Sequence, residues 1–193
     1  RDAIPSILSD ALAVSFDNNI GHDYLLNYED RYDFYHKKEE KIPFDLEYFN
    51  KITKGGLPNK TLNIALAGTG VGKSLFMCHF ASSVLLQGRN VLYITMEMAE
   101  EKIAERIDAN LLNVPIQDLT DLPKPMFDKK ITNLSKKTQG QLIIKEYPTA
   151  SAHSGHFKTL LNELALKKSF RPDIIFVDYL NICASSRYKA NSG

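Results

Sequence analysis

The stretch A-G-T-G-V-G-K-S occupies residues 67–74, between the apolar run L-N-I-A-L-A (62–67) and a helix-forming segment that starts at Lys73. It fits the fingerprint G-x-x-x-x-G-K-[ST], with Ala67 where the first glycine usually stands. Glycines at 68, 70 and 72 let backbone N–H groups curl around phosphates, and the amides of a following helix add their dipole. The Lys73 ammonium reaches the outer phosphates, and the Ser74 hydroxyl ligates Mg²⁺. Ala67, Gly68, Thr69, Gly70, Val71, Gly72, Lys73, Ser74 and Leu75 are therefore the candidate nucleotide-binding residues, for ATP or another nucleoside triphosphate with Mg²⁺.

Outward from this loop, strand and helix patterns alternate. L-N-I-A-L-A reads as a buried strand, Lys73–Gln87 as a helix stopped by Gly88, and V-L-Y-I-T-M (91–96) as a second strand. Helical patterns follow at Ala99–Leu112, Met126–Lys137 and around Phe157–Leu164, and strands at Q-L-I-I-K-E-Y (141–147) and I-I-F-V-D (174–178), the last fully apolar up to its aspartate. Repeated β-α-β units with apolar strands predict a mostly parallel sheet flanked by helices, an α/β fold. The first forty residues differ. Ile4, Ile7, Leu8, Ala11 and Leu12 share one helical face, a polar aromatic stretch carries a second helix around Asp23–His36, and Ile42–Asn50 reads as a connector. The expected organisation is a helical linker arm over 1–41 and an ATPase core over 42–193.

Two acids complete the chemistry. Asp178 ends an apolar strand, where a carboxylate orders the Mg²⁺ shell opposite the loop hydroxyl, although the same residue also serves as a plain strand cap. Glu97 follows the strand at 91–96, at a sheet edge where ligands collect, and is the candidate base that orients and deprotonates an attacking water. Its rivals Glu100 and Glu101 lie in a predicted first helical turn, where acids favour the macrodipole.

Composition sets limits. The 193 residues are 44% hydrophobic and carry a formal net charge of +1, enough for a core and too balanced for a uniformly basic surface. Nucleic-acid contact then has to come from a local loop or from a patch repeated by oligomerisation. Cys78 and Cys183 match neither a zinc nor a disulfide pattern and read as buried free thiols, in keeping with a reducing cytoplasm. No apolar run approaches the roughly 20 residues of a membrane span, so no membrane partner is expected.

The segments A-G-T-G-V-G-K-S-L (67–75), N-V-L-Y-I-T-M-E-M-A-E-E (90–101), R-I-D-A-N (106–110) and I-I-F-V-D-Y-L-N-I-C (174–183) together resemble the RecA-like motor domain of hexameric replicative DNA helicases of the DnaB family. The resemblance is closest to the replicative helicases of T4-type phages. It continues through A-L-A-V-S-F (11–16), I-G-H-D-Y (20–24) and L-L-N-E-L (160–164), and so spans nearly the whole chain. M-E-M after the second strand, joined to V-D-Y-L later, is its most specific part. The resemblance implies phosphate and Mg²⁺ binding by Lys73 and Ser74, metal ordering by Asp178, a catalytic base at Glu97 and a nucleotide-proximal Arg106. It also implies a homo-hexamer in which helix 4–16 docks on a neighbouring subunit, 5′→3′ travel on single-stranded DNA, primase and helicase-loader partners, and a host-cytoplasmic location for a phage protein.

In such domains a further strand lies between the loop strand and the Asp178 strand, later in the chain than Asp178. The sequence ends at Gly193 without a candidate for it, for a sensor residue or for an arginine finger, and it begins without Met. It therefore reads as a truncated core that hydrolyses ATP weakly on its own. In the tail, Arg187 and Lys189 are candidates for phosphate contacts and Tyr188 for base stacking on single-stranded DNA. Rival readings are a RecA-type recombinase, a P-loop kinase for a small metabolite, and a nucleotide-bound assembly module. The kinase reading lacks an arginine-rich lid.

Overall fold

The computed structural model describes residues 21–185, which belong to two units divided between Glu40 and Lys41. In the first, the Asp23 carboxylate accepts from the amides of Leu25 and Leu26, at 3.0 and 2.9 Å. Those bonds hold a turn where the sequence predicts helix, and helix α1 starts only at Tyr28 and runs to His36. None of its residues is buried within this unit. The amphipathic segment 4–16 lies outside the described residues, as does the tail from 186 onward.

The second unit runs β1 (Lys41–Ile42), α2 (Glu47–Ile52), β2 (Leu57–Pro58), α3 (Lys73–Leu86), β3 (Val91–Thr95), α4 (Glu100–Leu112), α5 (Lys124–Ser135), β4 (Leu142–Glu146), α6 (Ser154–Lys168) and β5 (Ile174–Asp178). Strands β4, β3 and β5 form a parallel sheet in that order, and β1 and β2 make a small antiparallel pair. All five residues of β3 are buried, because it is bonded on both edges and covered on both faces. Alternation divides its side chains. Val91 and Tyr93 join Phe176, Phe80, Val84 and Ile103 in one core, under α3 and α4. Leu92 and Ile94 face the other way and pack with Leu164 and Phe170 from α6 and the turn after it. The expected α/β sandwich of a parallel sheet between helices is present.

Four further expectations need correction. L-N-I-A-L-A (62–67) is neither strand nor buried: Leu62, Ile64 and Leu66 are 86%, 75% and 95% exposed. An apolar run becomes a buried strand only beside a partner, and among the described residues no strand pairs with it. For the same reason β5 is bonded along one edge only among the described residues, and Ile175 is 42% exposed where a fully buried strand was expected. The connector at 42–50 contains the start of α2, because Asn50 clamps it: Phe44 N–H donates to Asn50 Oδ1 and Asn50 Nδ2 donates to Phe44 O. Helix α5 begins at Lys124 despite Pro125, since first-turn residues have no intrahelical acceptor to lose.

Candidate active site

Parallel register brings the chemistry to one edge. Thr95 lies opposite Asp178, and the Met96 N–H donates to Asp178 O at 3.0 Å, so β3 and β5 end together. Glu97 therefore leaves the sheet beside the tip of β5. Its turn is held by Thr95, fully buried, whose hydroxyl donates to Met98 O (2.8 Å) and accepts from Met98 N–H (3.2 Å). A second hydroxyl, on Thr149, donates to Met96 O. Glu97 itself is exposed. The rival Glu100 is engaged elsewhere: its carboxylate accepts from Glu146 N–H at 2.9 Å and pairs with Lys145, tying the start of α4 to the end of β4. Glu101, on an exposed first turn, has no such tether among the described residues.

The 67–74 loop reaches the same edge. Gly70 and Gly72 have φ of 75° and 101°, the left-handed region that glycine enters without strain, and an added Cβ would meet nothing within 4 Å at either. Gly72 is the N-cap of α3, and no side chain caps that end. The first amides of the helix are thus left to an external acceptor. Ala67, Gly68, Thr69, Val71 and Leu75 are exposed around this opening, with Ser74 half-buried beside it. Lys73, the first residue of α3, sends its ammonium back to the sheet. Nζ lies 3.8 Å from Asp178 Oδ1 and 3.8 Å from the centroid of the Tyr179 ring. Asp178 is 2% exposed; Oδ2 accepts from Tyr93 Oη–H at 2.9 Å, while Oδ1 has no hydrogen-bond partner among the described residues.

A buried carboxylate oxygen without a donor, facing an ammonium beside an uncapped helix start, is a place for a cation and an anion together. The donor set fits a triphosphate with Mg²⁺: main-chain amides and Lys73 for the phosphates, the Ser74 hydroxyl and Asp178 Oδ1 as hard oxygen ligands. Arg106 is half-buried on α4, and its charge opposes the burial that pushes the Cys78 thiol up. Cys78 is buried as expected, whereas Cys183 is only half-buried, with its sulfur 3.4 Å from that of Met96. Arg187, Tyr188 and Lys189 lie outside the described residues. Sequence reasoning missed Tyr93 and Tyr179. A tyrosine inside an otherwise aliphatic strand was the available signal, because its hydroxyl must find a partner once buried.

The family model of the DnaB-like helicase C-terminal domain matches residues 42–192. The chain belongs to this family. Among relatives, the DnaB-like replicative helicase of Enterobacteria phage T4 is 50% identical over 193 residues, covering 98% of this chain and 41% of its own length. The DNA repair protein RadA of Campylobacter jejuni subsp. jejuni serotype O:2 is 33% identical over 98 residues, 49% of this chain and 21% of RadA. A solved DnaB-like replicative helicase, studied for its interactions with primase, superposes with a TM-score of 0.61 at 16% identity, over all of this chain and 46% of that one. That likeness supports the RecA-like fold of the DnaB-like domain. The chain spans less than half the length of the phage T4 relative and of the solved helicase chain. No helix among the described residues is long and apolar enough to cross a membrane.

Proposed function

We propose that this DnaB-like domain is the ATP-driven motor of a replicative DNA helicase. The observation that carries the reading is the approach of Lys73 to Asp178 across the open start of α3. In it, the amides of 68–74 and Lys73 would hold the phosphates, and Ser74 and Asp178 would hold Mg²⁺, which when bound would supply neutralisation of phosphate charge. Glu97, exposed and tethered only through its backbone turn, accepts the proton of the attacking water. Arg106 joins the set through the family resemblance alone.

The finer features are those implied by the resemblance to DnaB-family replicative helicases. They are a homo-hexameric ring joined through segment 4–16, 5′→3′ travel on single-stranded DNA with Arg187, Tyr188 and Lys189 among its contacts, primase and loader partners, a linker arm before about residue 42, and a cytoplasmic site of action. The chain by itself turns ATP over slowly, because among the described residues no strand braces the segment leading into the phosphate loop.

Single-turnover hydrolysis of labelled ATP, with the protein in excess and with or without single-stranded DNA, tests this. Wild type should hydrolyse slowly, and Glu97→Gln should be about 100-fold slower or worse while still binding ATP, the contribution expected of a general base. Equal rates in the two would reduce the domain to a nucleotide-bound assembly module.

A further inference from the structure

Lys73 of the phosphate loop faces the Asp178 carboxylate at 3.8 Å, beyond hydrogen-bond reach. The carboxylate is held from beneath, by Tyr93 in the middle of β3. The tyrosine is fully buried, its ring stacks on Phe176 with centroids 5.7 Å apart, and its hydroxyl donates to Asp178 Oδ2 at 2.9 Å. The Cys78 thiol, on α3, lies 3.8 Å from the same hydroxyl oxygen and donates to it. Each hydroxyl has one proton to give. The ionised carboxylate has none, so the tyrosine is the donor of that bond with or without the thiol. One oxygen of Asp178 is thereby fixed, and the other, Oδ1, is left without a donor and turned toward Lys73.

We propose that Tyr93 is a positioning residue for the metal site: it locks the Asp178 carboxylate in the rotamer that presents Oδ1 to Mg²⁺. The proposal rests on the reading of Asp178 as a metal-ordering group. Tyr93 touches neither nucleotide nor metal, and acts only through Asp178. Two features suit it to that task. Phe176, two residues before Asp178 on the same face of β5, stacks on the ring and fixes its plane. The carboxylate is 2% exposed, so water cannot replace the missing donor. Partners behind a metal ligand typically change metal affinity by about 10–100-fold when removed.

The test uses the whole chain with a non-hydrolysable ATP analogue. Mn²⁺ serves as the probe in place of Mg²⁺, and free Mn²⁺ is counted by electron paramagnetic resonance. Wild type, Tyr93→Phe, Cys78→Ala and Asp178→Asn are compared, each below its own melting temperature. We expect Tyr93→Phe to weaken Mn²⁺ binding about tenfold and to leave binding of the analogue in EDTA unchanged. Cys78→Ala, which disturbs the same core but spares the Tyr93–Asp178 bond, should keep wild-type Mn²⁺ affinity. A lower melting temperature for Tyr93→Phe with unchanged Mn²⁺ affinity would make the tyrosine merely structural and overturn the proposal. So would an equal loss in Cys78→Ala, which would trace the effect to packing. Should Asp178→Asn itself bind Mn²⁺ like wild type, the reading of Asp178 fails first. A loss in Asp178→Asn with none in Tyr93→Phe leaves that reading standing and rejects only the role given to Tyr93.

Discussion

Replacing Lys73 with methionine removes one charge and little else, since the side chain keeps its length and can still lie on the Tyr179 ring. The ammonium lies 3.8 Å from Asp178 Oδ1. At an effective dielectric of about 20, that separation corresponds to about 4 kcal/mol of attraction. Not all of it is net stabilisation. The lysine side chain is 23% exposed and keeps part of its hydration, and 3.8 Å is too long for a hydrogen bond. The aspartate side chain is 3% exposed, so losing its counter-charge leaves a buried carboxylate facing nothing. Balancing these, Lys73→Met should cost about 2 kcal/mol, and for a chain of this size lower the melting temperature by about 4–8 °C. The diagnostic quantity is the coupling with Asp178→Asn, measured by urea unfolding of wild type, both single variants and the double variant. The neutral amide that Asp178→Asn introduces needs no counter-charge, so the lysine substitution should cost little on that background. The expected coupling is about 1.5 kcal/mol, well above the roughly 0.5 kcal/mol scatter of independent sites. A coupling inside that scatter would mean that loop and strand tip do not meet in solution, and would refute the geometry on which the site is built.

Three further outcomes follow from the packing. Leu92→Ala empties a fully buried position between β3 and α6 and should destabilise the domain by about 2–5 kcal/mol in chemical unfolding. In amide exchange, 91–95, bonded on both edges, should be the slowest segment of the chain, and 62–67, exposed and outside any sheet, among the fastest; similar rates in the two would contradict the strand order. The raised pKa of Tyr93 has an alkaline signature. Above about pH 10 the unfolded chain releases the tyrosine proton while the folded chain keeps it, so stability is intact below that pH and falls as pH rises past it. Wild type should therefore lose stability more steeply than Tyr93→Phe, by about 1.4 kcal/mol per pH unit above 10 in urea unfolding.

The positive-φ glycines of the loop, the placement of Asp178 and Glu97 at the ends of β5 and β3, and the layered α/β architecture are legible in the sequence because each rests on local rules. Glycines at 70 and 72 are needed where φ is positive, and the alternating sides of V-L-Y-I-T feed two cores. Glu97 is separated from Glu100 only in the folded chain, where Glu100 bonds to the end of β4, 46 residues away. What failed was a strand inferred from apolarity alone. L-N-I-A-L-A has the composition of a buried strand, but burial depends on a neighbour that no local pattern encodes. Tyr93 escaped notice for the opposite reason. It fits the core by composition, and only the register of β3 against β5 brings its hydroxyl to Asp178, 85 residues later.

The direct question is whether the amides of 67–74 and the Lys73 ammonium grip a triphosphate. Equilibrium dialysis of labelled ATP with Mg²⁺ against wild type and Lys73→Ala answers it. The account predicts saturable binding by wild type and at least about tenfold weaker binding by the variant, the value of one charge-assisted phosphate contact. Equal affinity in the two, or no binding by a folded wild type, would contradict it.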